Sequence, residues 1–198
     1  MQNSKKYLKV MFGNKSFSNG TGFEYKIGEI NIADNWESSD FNSKKIGGFN
    51  FSTENKILRW LVRGDTIYEV TIPDDAEVVE IESKSAPHGV FRTNKIILNN
   101  PQKVTDEIAM KLYFKSDLPE KSYYKAMAGC AIRGYRNTVK QMINDRVNKE
   151  NIELVLSEIG DFRTASTATP KGNSECFDEM LKILNAIKGA KNGINGCN

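Results

Sequence analysis

The hydrophobic pattern of this sequence changes its period once, at the Asn-Asn-Pro segment of residues 99–101. Before that segment, apolar and polar residues alternate over short runs, which is typical of half-buried β-strands. After it, apolar residues recur every three or four positions, which is typical of amphipathic helices. The change predicts an α+β fold: a β-rich domain over residues 1–101 and a helical domain over residues 102–188. Residues 189–198 are predicted to form a flexible tail.

The N-terminal half contains several β-type runs around one short helix. Phe49 and Phe51 alternate with polar neighbours, and the apolar residues of the following segment, residues 54–62, have helical spacing. Ser52 or Thr53 is well placed to cap this helix. The pattern predicts a mixed or antiparallel sheet. Besides the run around Phe49, its strands are expected at residues 7–12, 23–27, 66–72, 77–82 and 90–98.

The C-terminal half is predicted to be all helical. Thr105 should cap the first helix, and Asp117 should open the second, with Pro119 near its first turn. A third helix carries Val139, a fourth starts at Asn148, and a last one covers residues 174–188. Because the connections between the first four are short, these helices should pack as antiparallel neighbours.

Bulk properties narrow the cellular setting and the partners. No run approaches the roughly 18 apolar residues of a membrane span, and no secretory signal is recognisable, so we expect a soluble protein without a membrane partner. Cys130, Cys176 and Cys197 lack ligand spacing, which favours the reducing cytoplasm and predicts no metal site. The net charge is +3, from 28 basic and 25 acidic residues that are interspersed. Nucleic-acid binding usually needs a concentrated basic surface, so it is the third alternative here.

The conventional catalytic signatures are missing from the chain. There is one histidine, His88, and the sequence contains no GxSxG motif, no Walker-type loop and no GxGxxG motif. These absences remove many enzyme classes, including those that need a cluster of histidines around a metal ion.

Three segments resemble a family of uncharacterised phage and prophage proteins. The hallmark of that family is a Gly-Phe-x-Phe strand after a polar loop, and it is matched here by residues 48–54. Residues 64–80 and 88–98 are similar to the segments that follow it, so the resemblance covers most of residues 7–100. It implies a phage-type accessory protein and says little about chemistry.

A more remote resemblance is to the ADP-ribosyltransferase-like fold, which includes rifamycin ADP-ribosyltransferase and RNA 2′-phosphotransferase. Phe51-Ser52-Thr53 is similar to the Ser/Thr motif that ends a strand beneath the nicotinamide pocket of that fold. Residues 89–94 are similar to a late strand of the phosphotransferase. The resemblance implies NAD as the cofactor, with Lys9, Ser52, Thr53 and Arg92 as candidate binding residues. The candidate catalytic residues are the carboxylates Glu54, Glu80 and Glu82, together with His88.

The same residues also have simple structural interpretations. Ser52 and Thr53 would cap a helix, His88 would lie in a loop, and Arg92 would face solvent or pair with an acid. The two tryptophans would serve packing. The leading hypothesis is therefore a phage or mobile-element accessory protein that binds a host protein or a small ligand without catalysis. An NAD-dependent ADP-ribosyltransferase is the alternative.

Overall fold

The computed structural model describes residues 5–16, 22–38, 47–81, 88–160, 162 and 173–192. These residues form one seven-stranded antiparallel sheet with helices, so the predicted α+β class is confirmed. The strands are β1 (Tyr7–Met11), β2 (Ile30–Ile32), β3 (Phe49–Thr53), β4 (Thr66–Thr71), β5 (Val78–Glu80), β6 (Val90–Thr93) and β7 (Lys95–Lys103). Their order across the sheet is β2-β7-β4-β1-β3-β6-β5.

The helices follow the sheet in sequence, apart from one that interrupts it. A 3-10 helix, Glu54–Arg63, connects β3 to β4. The α-helices are α1 (Asp106–Lys115), α2 (Glu120–Ile132), α3 (Arg136–Arg146), α4 (Ile152–Ile159) and α5 (Ser174–Asn192). The last helix extends past Lys188, so the predicted start of the tail at residue 189 is too early. In the described part of the chain, no helix combines the length and the apolar character that crossing a membrane requires.

A large hydrophobic core joins the sheet to the helices. Leu8 and Val10 of β1 contribute to it from the sheet, and Ile57 and Leu61 contribute from the 3-10 helix. Helix α2 lies at its centre, because all its residues from Ser122 to Ile132 except Lys125 are buried. The β-rich and helical parts therefore share one core, and Cys130 and Cys176 are buried in it.

The opposite face of the sheet carries a smaller core. Phe49, Phe51 and Phe91 pack there, and Tyr25 covers them with its ring centroid 5.2 Å from that of Phe49. The strand predicted at residues 23–27 is wrong: this segment makes one isolated bridge, and the strand lies at Ile30–Ile32. The buried side chain of Asn31 accepts from the Lys26 backbone N–H at 2.8 Å and thereby holds the segment in a turn.

The Asn-Asn-Pro segment proves to be a bulge inside β7 rather than a break between domains. Ile67 pairs with Gln102 and Glu69 pairs with Asn99, so one residue of β4 faces two residues of β7. A bulge tolerates proline, which cannot donate to the ladder. Asn100 adopts a positive φ of 49°, which asparagine accepts more readily than most residues. A cut at residue 101 would thus pass through a paired strand.

The predicted helix starts have different outcomes in the first two α-helices. Thr105 caps α1, since its Oγ1 accepts from the Ile108 backbone N–H at 3.3 Å. Asp117 does not cap α2, whose N-cap residue is Pro119. The Asp117 carboxylate instead lies 3.2 Å from the ammonium of Lys56, a buried group for which a counter-charge is favourable.

Separating the chain after Lys103 should leave neither part folded on its own. Residues 1–103 would expose Leu8, Val10 and Leu61, and the remainder would lose the surface on which α2 packs. Because this burial is the main driving force for folding, each part alone should lack a cooperative thermal transition by circular dichroism. Coexpression of the two parts should restore it. A cooperative transition in either isolated part would contradict the shared core.

Candidate functional site

A cavity of about 180 Å³ lies where strands β1 and β3 stop pairing. In the antiparallel pairing of these strands, Tyr7 lies opposite Thr53 and Leu8 lies opposite Ser52. The pairing ends there, although both strands continue beyond these residues. The sheet contributes one wall of the cavity and the 3-10 helix contributes another. The main lining residues are Lys9, Asn50, Ser52, Ile57, Trp60, Arg63 and Arg92.

Lys9 occupies the unpaired region between the two strands. Its ammonium donates to the backbone oxygen and to the Oδ1 atom of Asn50, each at 2.7 Å. The side chain is 4% exposed and lies over the Tyr25 ring, 5.1 Å from the centroid. Burial, reinforced by the charges of Arg92 and Arg63, lowers the pKa of Lys9 to about 7. Near neutral pH this side chain is therefore divided between its charged and neutral forms.

Two arginines complete the basic character of the cavity. Arg92 is half-buried on β6, directly opposite Asn50, and its Nη1 donates to the Gly47 backbone oxygen at 2.7 Å. Burial lowers its pKa, and the pKa of Arg63 is lowered for the same reason. Among the described residues that line the cavity, none is acidic.

The 3-10 winding of the connecting helix determines which of its side chains reach the cavity. Ile57, Trp60 and Arg63 are spaced three residues apart and all line it. A 3-10 helix has about three residues per turn, so these side chains stand in one row. In an α-helix, with about 3.6 residues per turn, the same spacing would rotate each successive side chain away from the cavity. The guanidinium of Arg63 lies 5.9 Å from the Trp60 ring centroid.

Ser52 places an unpartnered hydroxyl at the cavity. The residue is 1% exposed, and its Oγ has no hydrogen-bond partner within the described structure. A buried polar atom without a partner costs free energy, and it commonly marks a place where a ligand or an ordered water molecule binds.

The prediction that the side chain of Ser52 or Thr53 caps the helix is wrong. Thr53 occupies the N-cap position of the 3-10 helix, but its side chain makes no capping hydrogen bond. Its Oγ1 instead lies 2.6 Å from Oδ1 of Asn55 and 3.4 Å from the Gly89 backbone oxygen. Thr53 therefore contacts Asn55 of the 3-10 helix and the backbone of Gly89, and it does not line the cavity.

The candidate acids do not converge with the basic groups. Glu54 pairs with Lys115 of α1 at 3.1 Å, and Glu80 accepts from the Gly89 backbone N–H at 2.7 Å. Glu82 lies outside the described residues. His88 is exposed and is not part of the cavity wall.

Three of the four proposed cofactor-binding residues, Lys9, Ser52 and Arg92, thus meet at one cavity. Sequence reasoning missed Asn50 and Arg63 and treated Trp60 as packing only. The three-residue spacing of Ile57, Trp60 and Arg63 was visible in the sequence, but it places the three side chains in a single row only if the helix is wound as a 3-10 helix. Within the described ranges, no group of three His, Cys, Asp or Glu side chains is placed to hold a metal ion.

Comparisons with protein-family models, with curated proteins and with solved structures found no match to this chain. Neither of the two resemblances suggested by the motifs gains support from them, and both stay predictions.

Replacing Ser52 tests whether its hydroxyl stabilises the fold. Ser52→Ala should leave the free energy of unfolding unchanged or raise it, because the hydroxyl makes no hydrogen bond and its burial is uncompensated. Thr105→Ala, the matched control, should cost about 1 kcal/mol because it removes an observed cap. Chemical denaturation of both variants measures the difference. An equal loss of unfolding free energy in the two variants would contradict the finding that the Ser52 hydroxyl has no hydrogen-bond partner within the described structure.

Lys9 should make the protein more stable as the pH rises above neutrality. Its pKa is lowered in the folded state, so between about pH 7 and about pH 10 the unfolded chain binds more protons than the folded one. The free energy of unfolding should therefore increase with pH, with a contribution approaching about 1.4 kcal/mol per pH unit for one proton. Denaturation across this pH range should show that contribution in the parent and not in Lys9→Met. Identical slopes in the two proteins would refute it.

Proposed function

We propose that this protein binds a small anionic ligand in the cavity between β1, β3 and the 3-10 helix. The observation that carries the proposal is the convergence there of Lys9, Arg63 and Arg92 with the unpartnered hydroxyl of Ser52. Charged donors bind anionic oxygens through hydrogen bonds that are stronger than neutral ones. Their partly buried setting strengthens that attraction, since solvent screens it less.

The hydrogen bonds of Lys9 support a vacant donor position. An ammonium group has three N–H donors, and the described contacts of Lys9 use two acceptors, both on Asn50. The third donor is available to a ligand, because the side chain borders the cavity. An anion there would satisfy this donor and the Ser52 hydroxyl together, and it would offset the mutual repulsion of the three cationic side chains.

The size of the cavity favours a small ligand over a dinucleotide. Pockets that enclose a drug-sized ligand usually measure about 300–1,000 Å³, whereas this cavity measures about 180 Å³. The NAD-dependent transferase alternative also needs a carboxylate beside the cofactor, and Glu54 and Glu80 are engaged elsewhere. Release of nicotinamide from NAD by the purified protein would revive that alternative.

The wider role that we infer is that of a phage or mobile-element accessory protein in the host cytoplasm. The inference of a phage or mobile-element origin is based on the sequence resemblance alone. The free thiols of Cys130 and Cys176 fit a reducing compartment. A small-ligand function is favoured over the binding of a host protein or a nucleic acid, because the basic groups converge on a cavity of limited volume rather than on an open surface.

Sulfate is a suitable probe of the cavity because it stays fully charged across the neutral pH range. The sequence has two tryptophans, so Trp36→Phe leaves Trp60, which lines the cavity, as the only indole reporter. Titration of this variant with sulfate at constant ionic strength should change the Trp60 fluorescence in a saturable way. The affinity should fall as the pH rises through 7, because Lys9 then loses its charge.

Charge removal at the cavity should weaken sulfate binding selectively. In the Trp36→Phe background, Lys9→Met should lower the affinity about tenfold, equivalent to ~1.4 kcal/mol for the loss of a charge-assisted hydrogen bond. Lys149→Gln is the matched control, since it removes an exposed positive charge from the loop before α4. Equal affinities in the two variants, or a response that never saturates, would contradict the proposal.

A further inference from the structure

We propose that the amine of Lys9 condenses with the carbonyl group of a small 2-oxo acid to form an imine within the cavity. The inference deepens the proposed function and rests on it, because the carboxylate of such a ligand would be the bound anion. It assigns Lys9 a covalent role in addition to an electrostatic one. The substrate class is defined by two features, a carboxylate and an adjacent carbonyl carbon.

The hydrogen bonds of Lys9 suit a nucleophilic amine. A neutral amine has two N–H donors and one lone pair, and the described acceptors of Lys9 are the two oxygens of Asn50. Those acceptors can take both protons of the neutral form and leave the lone pair for a ligand in the adjoining cavity. The backbone oxygen at 2.7 Å belongs to β3, so the amine is held by the sheet.

The surroundings of Lys9 keep a large share of the amine uncharged near neutral pH. Burial is the main cause of its lowered pKa of about 7, and the charges of Arg92 on β6 and Arg63 on the 3-10 helix add to it. Tyr25 presents its ring to the ammonium, and its own pKa is raised by burial, so it stays neutral. A desolvated lysine beside other cations is an established form of activated nucleophile.

Lys56 supplies the contrast within the same molecule. It is also a buried lysine, at 8% exposure, but its ammonium faces the carboxylate and the backbone oxygen of Asp117. The Asp117 carboxylate thus supplies a counter-charge beside this ammonium group. Burial alone is therefore not what distinguishes Lys9, whose described neighbours are cationic, amide and aromatic groups.

The other cavity residues suit the two ends of a 2-oxo acid. Arg63 and Arg92 carry the guanidinium groups that recognise carboxylates, and both line the space next to Lys9. The Ser52 hydroxyl can donate to the oxygen that develops charge when the carbonyl carbon is attacked. A cavity of about 180 Å³ accommodates an acid of a few carbon atoms.

The proposed step balances without any further reagent. The Lys9 nitrogen lone pair forms a bond to the carbonyl carbon, and the carbonyl π electrons move to oxygen. A proton passes from nitrogen to that oxygen, which gives a carbinolamine. The C–O bond then breaks and a second proton from nitrogen leaves with the oxygen as water. The product is the imine between Lys9 and the acid, and it is reversible by hydration.

Reductive trapping tests the imine on the intact protein. Incubation with pyruvate and sodium borohydride should add to the chain the mass of pyruvic acid less one oxygen atom. Peptide mapping should place this addition on Lys9, with Lys56 and the exposed lysines modified far less. Lactate, which has the carboxylate but no carbonyl, should give no addition. Modification spread evenly over the exposed lysines, or absent at Lys9, would overturn the imine.

The outcomes separate this inference from the proposed function. Saturable sulfate binding without a pyruvate adduct would retain the anion site and refute the imine. An adduct at Lys9 that sulfate does not suppress would support the amine chemistry and contradict a shared anion site. We expect sulfate to compete, since its oxygens would occupy the position of the pyruvate carboxylate. Lys9→Arg should lose the adduct while keeping a positive charge at this position.

Discussion

The 3-10 helix between β3 and β4 packs with its apolar side in the large core, where Ile57, Leu58 and Leu61 are buried between the sheet and α2. Gly129 of α2 permits this contact, since a Cβ atom at that position would lie 3.2 Å from the Cβ of Val62. The helical part of the chain is attached to the sheet through this segment. The same segment forms a wall of the cavity, so the stability of the core and the geometry of the site depend on one piece of backbone.

Placing Lys9 in the cavity has an electrostatic cost, which packing and hydrogen bonds elsewhere in the fold must offset. Lys9 is buried beside two other cations, and burial without a carboxylate disfavours its charged form. A buried lysine would be unfavourable between two strands that stay paired along their whole length. It is tolerated because β1 and β3 separate here and the Asn50 oxygens satisfy two of the donors. A buried group with a strongly lowered pKa and no counter-charge is typical of binding and catalytic sites, where a ligand can offset the electrostatic cost.

Much of the architecture was predictable because it follows local patterns. The period of the apolar residues identified the sheet-forming and helical halves, and Thr105 was recognised as a cap from its position before an amphipathic run. Part of the site was also anticipated, because the Phe51-Ser52-Thr53 motif directed attention to Ser52. Its neighbour Thr53 was expected to act with it, yet the two side chains point to different surroundings.

What escaped prediction depends on contacts between distant segments. Asn50 has no local signal, and the only local signal of Arg63 is a spacing whose meaning depends on the 3-10 winding. Both residues meet Lys9 only because β1, β3 and the 3-10 helix come together in the fold. Asp117 was expected to cap α2, but its carboxylate instead accepts a hydrogen bond from Lys56, which is 61 residues away along the chain. A local motif cannot show which of two competing partners a side chain will choose.

The sequence by itself determined the α+β class, the order of strands before helices and the amphipathic faces that build the core, because periodicity is a property of neighbouring residues. Only the tertiary structure decided that the Asn-Asn-Pro segment is a bulge, that the helix after β3 is wound as a 3-10 helix, and that β1 and β3 separate around Lys9. These features balance backbone hydrogen bonding against packing across the whole fold. Local propensity is too weak to settle that balance.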